Sequence, residues 1–353
     1  MVSHDTMRGV VLTGHGGPEK LVYRTDLPVP TPSQGDVLIR VAAAGVNNTD
    51  INTRVGWYSR TPQNADDASW SGDAIQFPRV QGIDVYGEIV AAGSGVDAKR
   101  LGEHVLVEPC LREAGGKPLE TPWFLGSECD GGFAEYVVVA ARHVYAIRCD
   151  MSAIELASFP CSYSTAENML TRASVRAGER VLITGASGGV GSAAIQLAKA
   201  RGAQAIAVTQ ASKAQTLHEI GADSIILRDR PYLEQIGENE IDVVLDLVAG
   251  DHWSELLDVL KRGGRYAVAG AIGGPIVELD VRTLYLKDLS FFGCTILEPE
   301  VFSNLVDHIE KHRIRPLIAD TYRLEDINLA QEAFMQKQYI GKIVLSVSGV
   351  SAN

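Results

Sequence analysis

The sequence predicts an α/β protein in which a doubly wound parallel sheet is set into a chain that is otherwise β-rich. Two observations carry that expectation. Before Ala140 the apolar residues alternate or run in short stretches bounded by Gly and Pro clusters. From Arg180 the pattern changes to strands alternating with amphipathic helices, the signature of a parallel sheet covered on both faces.

The β-rich part is expected to place strands at Arg8 to Thr13, Asp36 to Val46, Ile83 to Ala92, Glu103 to Glu108 and Ala134 to Ala140. Turn clusters such as Gly14-His-Gly-Gly-Pro18 and Pro28-Val-Pro-Thr-Pro32 separate them. The later region predicts strands at 180–185, 204–209, 224–228, 241–247 and 264–270. Helices are expected at Ser212 to Ile220 and His252 to Leu260 between them, then at Pro299 to Lys311 and Leu324 to Gln336, with Lys342 to Val347 as a closing strand. The polar stretch Trp57 to Phe77, with Pro62 and Gly72, reads as a long loop, either functional or a surface insertion.

Composition sets the outer bounds. A chain of 353 residues with 46% hydrophobic and 22% charged residues suits two globular domains. A net charge of −12 argues against nucleic acid and against anionic membrane surfaces as partners. Five scattered cysteines without a C-x-x-C pair fit a reducing compartment. The start Met1-Val-Ser-His-Asp-Thr lacks a signal-peptide pattern, and no long apolar run occurs, so a cytoplasmic location is expected.

The stretch Val181-Leu-Ile-Thr-Gly-Ala-Ser-Gly-Gly-Val-Gly191 carries the most chemistry. It passes from an apolar strand, Arg180 to Thr184, into a helix of small residues, Gly189 to Ala200. Backbone N–H groups at such a turn face incoming phosphates, and the helix N-terminus adds partial positive charge. The spacing Ala186-x-Gly188-x-x-Gly191 is the Rossmann spacing with alanine for the first glycine. Ala186, Ser187, Gly188, Gly189, Val190 and Gly191 are therefore the expected pyrophosphate contacts of a dinucleotide.

A dinucleotide site for NAD places a carboxylate about twenty residues further on, to bond the ribose hydroxyls. Here that region reads Ala207-Val-Thr-Gln-Ala-Ser-Lys213 and has none. Ser212 and Lys213, with Arg228 at the end of the third strand as a second cation, would instead accept a 2′-phosphate, so NADP(H) is expected, and Thr209 is a further expected cofactor contact. The alternative for Lys213 is an ordinary exposed lysine. Residues at the ends of the fourth and fifth strands, Asp246 to Gly250 and Val268 to Ala271, should line the nicotinamide ribose; Leu247, Val248, Ala269, Gly270 and Ala271 are the expected contacts. Thr165 is placed with them.

At this point the chain resembles the medium-chain dehydrogenase/reductase superfamily from Arg8 to Val347. The resemblance rests on Gly35-Asp-Val-Leu-Ile-Arg-Val41, Gly45-Val-Asn-Asn-Thr-Asp50, Gly82-Ile-Asp-Val-Tyr-Gly-Glu-Ile-Val-Ala-Ala-Gly93, the turn at 184–191 and Gly341-Lys-Ile-Val344. It implies a GroES-like β-rich catalytic domain, 1–151 and 298–353, around an inserted doubly wound Rossmann domain, 152–297, with the active site between them. It also implies a homodimer paired through the edge strand at Asp288 to Thr295, where Leu289, Phe291 and Phe292 suit either a paired edge or a core strand.

Members of the superfamily divide into zinc-dependent alcohol dehydrogenases and zinc-free reductases. The resemblance places Asn47 and Ile83 where the zinc enzymes carry a cysteine and a histidine, and Cys161 where they carry another cysteine. Aliphatic Ile83 cannot bind metal, and an amide is a poor substitute for thiolate. No metal is expected, with Asp84 and Cys161 the only nucleus for one; the other reading of Cys161 is a small buried hydrophobe. The structural zinc lobe, which needs four close cysteines, is absent between Cys110 and Cys129.

Without a Lewis acid, a carbonyl oxygen needs hydrogen-bond donors. Asn47, Thr49, Tyr58 and Tyr163 are the candidates, with Asp50 as a further catalytic candidate whose structural reading is a helix cap. Asp84 is expected to bond backbone or pair with an arginine. Trp57, Tyr58 and Trp70 are expected to form an aromatic wall for a flat acceptor. The expected function is NADPH-dependent, zinc-independent reduction of a quinone or α,β-unsaturated carbonyl. The alternatives are a zinc-type alcohol dehydrogenase with an altered metal site, favoured by Thr49 and Cys161, and a non-catalytic NADPH-binding protein.

Overall fold

The computed structural model describes residues 5–59 and 67–348, which leaves 1–4, the Pro62 part of the long loop (60–66) and 349–353 outside the described residues. The chain divides into two compact units, Met1–Cys161 with Ile318–Asn353, and Ser162–Leu317.

The first unit is built on the strand Asp36–Val46, whose Val37, Ile39, Val41 and Val46 are fully buried. Val37, Ile39 and Val41 alternate along one face of the pleat, where β-branched side chains pack well, and Leu38, Ala44 and Val46 are buried on the other parity. This strand pairs antiparallel with Tyr86–Ala92, Tyr136–Ala140 and Lys342–Ser346. Beyond these, His104–Val107 and Val144–Ala146 extend one side and Ile318–Arg323 the other, completing a seven-stranded sheet. A three-stranded sheet of Leu21–Pro28, Thr6–Leu12 and Arg79–Val80 and a hairpin of Cys110–Ala114 with Lys117–Phe124 close the unit. The register matters for chemistry: Ile343 lies opposite Val46, so Lys342 is carried to the end of the strand that delivers Asn47.

In the second unit six strands, all parallel to their neighbours, run in the order Ser224–Leu227, Gln204–Thr209, Arg180–Ile183, Ile241–Asp246, Leu260–Val268, Ser290–Gly293. Val181, Leu182, Ile183, Val243, Val244 and Leu245 are fully buried, as expected of strands covered on both faces. The order reverses at Arg180–Ile183, the switch point beside which α/β sheets bind their ligands.

Several boundaries differ from the expectations. The second unit begins ten residues later than 152 and ends twenty residues later than 297, at Ser162 and Leu317. Side chains of the helix Pro160–Arg172 hold the extra segment: Asn168 donates to Ile296 O at 3.1 Å and accepts from Glu298 N at 3.0 Å. Tyr163 donates to Arg315 O, and Gln196 binds Arg315 from both ends of its amide. The helix expected at Ser212 to Ile220 is a 3₁₀ turn, Ala211–Lys213, followed by Ala214–Glu219. The strand expected at 264–270 spans Leu260–Val268, and Ala269 to Ala271 leave the ladder for the turn beyond it. The six-residue helix Val281–Leu286 escaped the sequence reading because less than two turns carry no readable period. No helix among the described residues is long and apolar enough to cross a membrane.

Candidate active site

In the first unit the site grows from the end of the Asp36–Val46 strand. Asn47, in extended conformation, caps the helix Asn48–Val55, and its backbone N–H donates to Asp50 Oδ2 at 2.8 Å. Asp50 Oδ1 receives the Ile83 N–H at 3.3 Å. Asp50 thus joins the helix start to the Gly82-Ile83-Asp84 segment and acts as a buried cap. Burial pushes its carboxyl up to about 7, against the two N–H groups that favour the ionised form; the neighbouring Asp84 charge adds to the rise.

Asn47 turns its amide into a closed cluster. Its Nδ2 donates to Gly45 O at 3.2 Å and to Asp84 Oδ2 at 2.7 Å, and its Oδ1 accepts from Lys342 Nζ at 2.5 Å. Lys342 Nζ lies 2.9 Å from Asp84 Oδ2. The other Asp84 oxygen receives the Cys161 N–H at 2.6 Å. Asn47, Asp84 and Lys342 are all at most 5% exposed. Both amide hydrogens of Asn47 are therefore committed inside the protein, and it is not available to a substrate oxygen, contrary to expectation. The partner of Asp84 is a lysine rather than an arginine. Sequence reasoning passed over Lys342 as a motif letter; the only signal for it was a cation placed at the start of an apolar strand.

A catalytic zinc, which the superfamily implies for some members, needs three N, S or O donors with free lone pairs. Here the Asn47 oxygen and one Asp84 oxygen face an ammonium, the other Asp84 oxygen faces an N–H, and Ile83 offers carbon. These residues do not fit the ion. Among the described residues no group of three His, Cys, Asp or Glu side chains gathers at Asp84.

Thr49, half-buried on the first turn of the same helix, is the centre of a second set. Its Oγ1 accepts from the Tyr58 hydroxyl at 3.1 Å and from the Trp70 indole N–H at 3.2 Å. Tyr58, Trp70 and Phe124 form an aromatic row with centroid spacings of 4.4 and 4.8 Å. Glu128 anchors the loop that brings Trp70 there, accepting the Ser71 N–H at 2.9 Å and the Phe124 N–H at 2.8 Å. Burial holds the Tyr58 phenol up to about 12, so it stays protonated. Trp57 does not join the row: the left-handed turn at Gly56 leaves it 47% exposed, and Phe124 takes the place expected for it. Tyr163 is corrected as well. It is 1% exposed in the second unit, donates to Arg315 O at 3.2 Å and accepts from Gln196 at 3.1 Å, so its phenol is spent on packing.

In the second unit the turn after Arg180–Ile183 leads into the helix Gly189–Ala200, capped by Gly188. Gly185, with φ +57°, makes the tight turn, one residue before the position expected from spacing. A Cβ on Gly191 would lie 2.4 Å from Gly185 O, which explains the glycine there. The first N–H groups of this helix, from Gly189, Val190 and Gly191, have no intrahelical acceptor and suit a pyrophosphate. Ser187 is half-buried and Gly188 exposed in the same turn, with Ala186 buried behind them.

At the end of Gln204–Thr209 the Thr209 hydroxyl is buried and without a partner among the described residues. Next to it Ser212 is exposed and Lys213 half-buried. Desolvation lowers the Lys213 pKa, and the nearby Arg228 charge lowers it further, so two cations share this corner. Leu247, Val248, Ala269, Gly270 and Ala271 are half-buried at the ends of their strands, and Thr165 is half-buried on the helix Pro160–Arg172. Asp246 faces inward instead of lining a ligand. Its carboxylate accepts from Thr184 Oγ1 and Tyr266 OH, both at 2.6 Å, and from the Val248 and Ala249 N–H groups. This fixes the turn that presents Leu247 and Val248.

One unit holds a doubly wound parallel sheet and the other a β-rich fold with a polar, partly accessible hydroxyl, and together these fit the class of oxidoreductases. The comparisons then give the family. Residues 33–148 match the model of the alcohol dehydrogenase GroES-like domain, and residues 189–311 that of the zinc-binding dehydrogenase. Human quinone oxidoreductase is 31% identical over 96% of this chain and 97% of its own. Acryloyl-coenzyme A reductase of Metallosphaera sedula is 30% identical over 96% of this chain and all of its own, 100%. A crystal structure from Sinorhizobium meliloti 1021, described provisionally as an alcohol dehydrogenase, is 45% identical with a TM-score of 0.91, covering 98% of this chain and 97% of that one. The chain belongs to the medium-chain dehydrogenase/reductase superfamily and is an oxidoreductase.

Proposed function

We propose that this oxidoreductase uses NADPH, without zinc, to reduce a quinone or an α,β-unsaturated carbonyl. The observation that carries the reading is the Asn47–Asp84–Lys342 cluster, which fills with an ammonium the place where a Lewis acid would have to be held. The names of the relatives, quinone oxidoreductase and acryloyl-coenzyme A reductase, point the same way.

The turn at Gly185 to Gly191 would hold the pyrophosphate, and Lys213 with Arg228 the 2′-phosphate, while Thr209 offers nearby a hydroxyl that has no partner among the described residues. When bound, the reduced nicotinamide supplies a hydride, and solvent supplies the proton that completes the two-electron reduction. The protein must then stabilise the negative charge that grows on the acceptor oxygen. Quinones and enones spread that charge over a conjugated system, so hydrogen bonds suffice where a simple ketone would need more. Thr49 is the donor we assign to that oxygen, and the Tyr58–Trp70–Phe124 row supports the side on which it sits.

We also propose a cytoplasmic homodimer paired through the open edge strand Ser290–Gly293. Ile276, Val281 and Tyr285, exposed in the segment that leads into this strand, and Phe291, exposed on it, support it. The function is tested by mixing protein with NADPH and a panel of quinones and enones and following absorbance at 340 nm. Turnover supports the reading. Oxidation of alcohols with about one zinc per chain would point to the zinc-type enzyme, and tight NADPH binding without turnover to a non-catalytic protein.

A further inference from the structure

Thr49 accepts two hydrogen bonds, and the consequence lies in the count of its lone pairs. A hydroxyl has one proton to give and two lone pairs to receive. The Trp70 indole N–H can only donate, so the bond at 3.2 Å has a fixed direction. The Tyr58 hydroxyl oxygen is approached by Asn52 Nδ2 at 3.4 Å and gives its own proton to Thr49 at 3.1 Å. Both lone pairs of Thr49 are thus engaged, and its proton has no acceptor among the described residues. The side chain is half-buried and so remains within reach of a ligand.

Resting on the reductase reading above, we propose that Trp70 and Tyr58 are positioning residues that lock the Thr49 hydroxyl as a donor. The substrate atom it meets must then be an acceptor, the oxygen of a carbonyl or quinone. Received hydrogen bonds also polarise the hydroxyl and strengthen the bond it gives. The Glu128 clamp explains how a residue on a long loop holds this geometry, since it ties the backbone beside Trp70 to the backbone of Phe124. A hydroxyl with a vacant lone pair could take a proton from an alcohol as easily as give one. This one selects substrates by the polarity of a single hydrogen bond.

The test is a double-mutant cycle in the full chain, with Thr49→Val, Trp70→Phe and the pair, assayed with NADPH and menadione. Trp70→Phe keeps an aromatic ring in the row and removes the N–H together with part of the indole's volume, and the cycle with Thr49→Val separates the two losses. The expected result is a loss of about tenfold or more in kcat for Thr49→Val. Trp70→Phe should lose about threefold with the KM for NADPH unchanged, and should cost nothing further once Thr49 is valine. Additive losses would show a merely structural role for Trp70, and wild-type kcat in Thr49→Val would remove the donor; either overturns the proposal. Calorimetric titration with δ-valerolactam, whose carbonyl accepts but cannot be reduced by hydride here, reads the same donor without turnover. Binding weakened by Thr49→Val, and by Trp70→Phe only when Thr49 is present, supports the lock; binding unchanged in both overturns it. If the wild-type protein oxidises NADPH with no quinone or enone, the reductase reading fails, and the lactam titration still decides the polarity of Thr49.

Discussion

Lys342 and Asp84 form an ion pair of 2.9 Å with side chains 3% and 0% exposed, sealed by the Asn47 amide and the Cys161 N–H. Taking two charges out of water is costly, and the pair stands because every acceptor oxygen in it has a donor. Two strands and a helix start meet at this point, so the cluster also pins the C-terminal strand to the centre of the sheet.

Replacing Lys342 by methionine leaves Asp84 charged and buried. A loss of about 3–5 kcal/mol in unfolding free energy is expected from urea titration at pH 7. Adding Asp84→Asn should recover part of it, because the stranded charge is gone. Equal stability of Lys342→Met and the wild type would mean that the pair is solvated.

Asp50 makes stability depend on pH in the direction opposite to an ordinary paired carboxylate. Its carboxyl titrates near 3.8 when unfolded and about 7 when folded. Between those values the folded chain binds the extra proton, so stability falls as pH rises from about 4 to about 7 and then levels. Asp50→Asn, which cannot ionise, should flatten that slope. Urea midpoints at pH 5 and pH 8 check it; the wild type should lose more than the variant over this interval.

Lys213 and Arg228 should separate the two nicotinamide cofactors. Lys213→Ala is expected to weaken NADPH binding by about tenfold, the worth of a charge-assisted contact with phosphate, while NADH binding changes little. Fluorescence titration of both cofactors reads the ratio. An equal loss for both would place Lys213 away from the 2′-phosphate.

Ala249 adopts φ +54° and ψ −139°, a conformation that costs a residue with a side chain. The Asp246 carboxylate compensates by accepting the Ala249 N–H. Ala249→Gly should therefore stabilise the chain by about 1 kcal/mol, seen as a raised thermal midpoint. A lowered midpoint would show that the methyl group is needed for packing.

The long regular elements were legible in the sequence because their periods are long enough to count. Asp36–Val46, Gln204–Thr209 and Gly189–Ala200 stand with the ends expected. The glycine turn between strand and helix was legible because glycine and small residues follow directly on an apolar strand, although the tight turn falls on Gly185 rather than Ala186. Side-chain direction was not legible. Asn47 and Tyr163 are residue types that can donate to a substrate, and only the three-dimensional neighbours show that Gly45, Asp84 and Arg315 already take their hydrogens. Lys342 is 258 residues from Asp84, and Trp70 reaches Thr49 through a loop without periodicity, so neither contact leaves a local trace.

The role of the Asn47–Asp84–Lys342 cluster is tested most directly by NADPH oxidation with menadione, using protein that has been dialysed against a strong zinc chelator and assayed in its presence. The account predicts the same rate as for untreated protein, since the cation beside Asn47 and Asp84 is the Lys342 ammonium. Loss of the rate on chelation, restored by adding zinc, would contradict it.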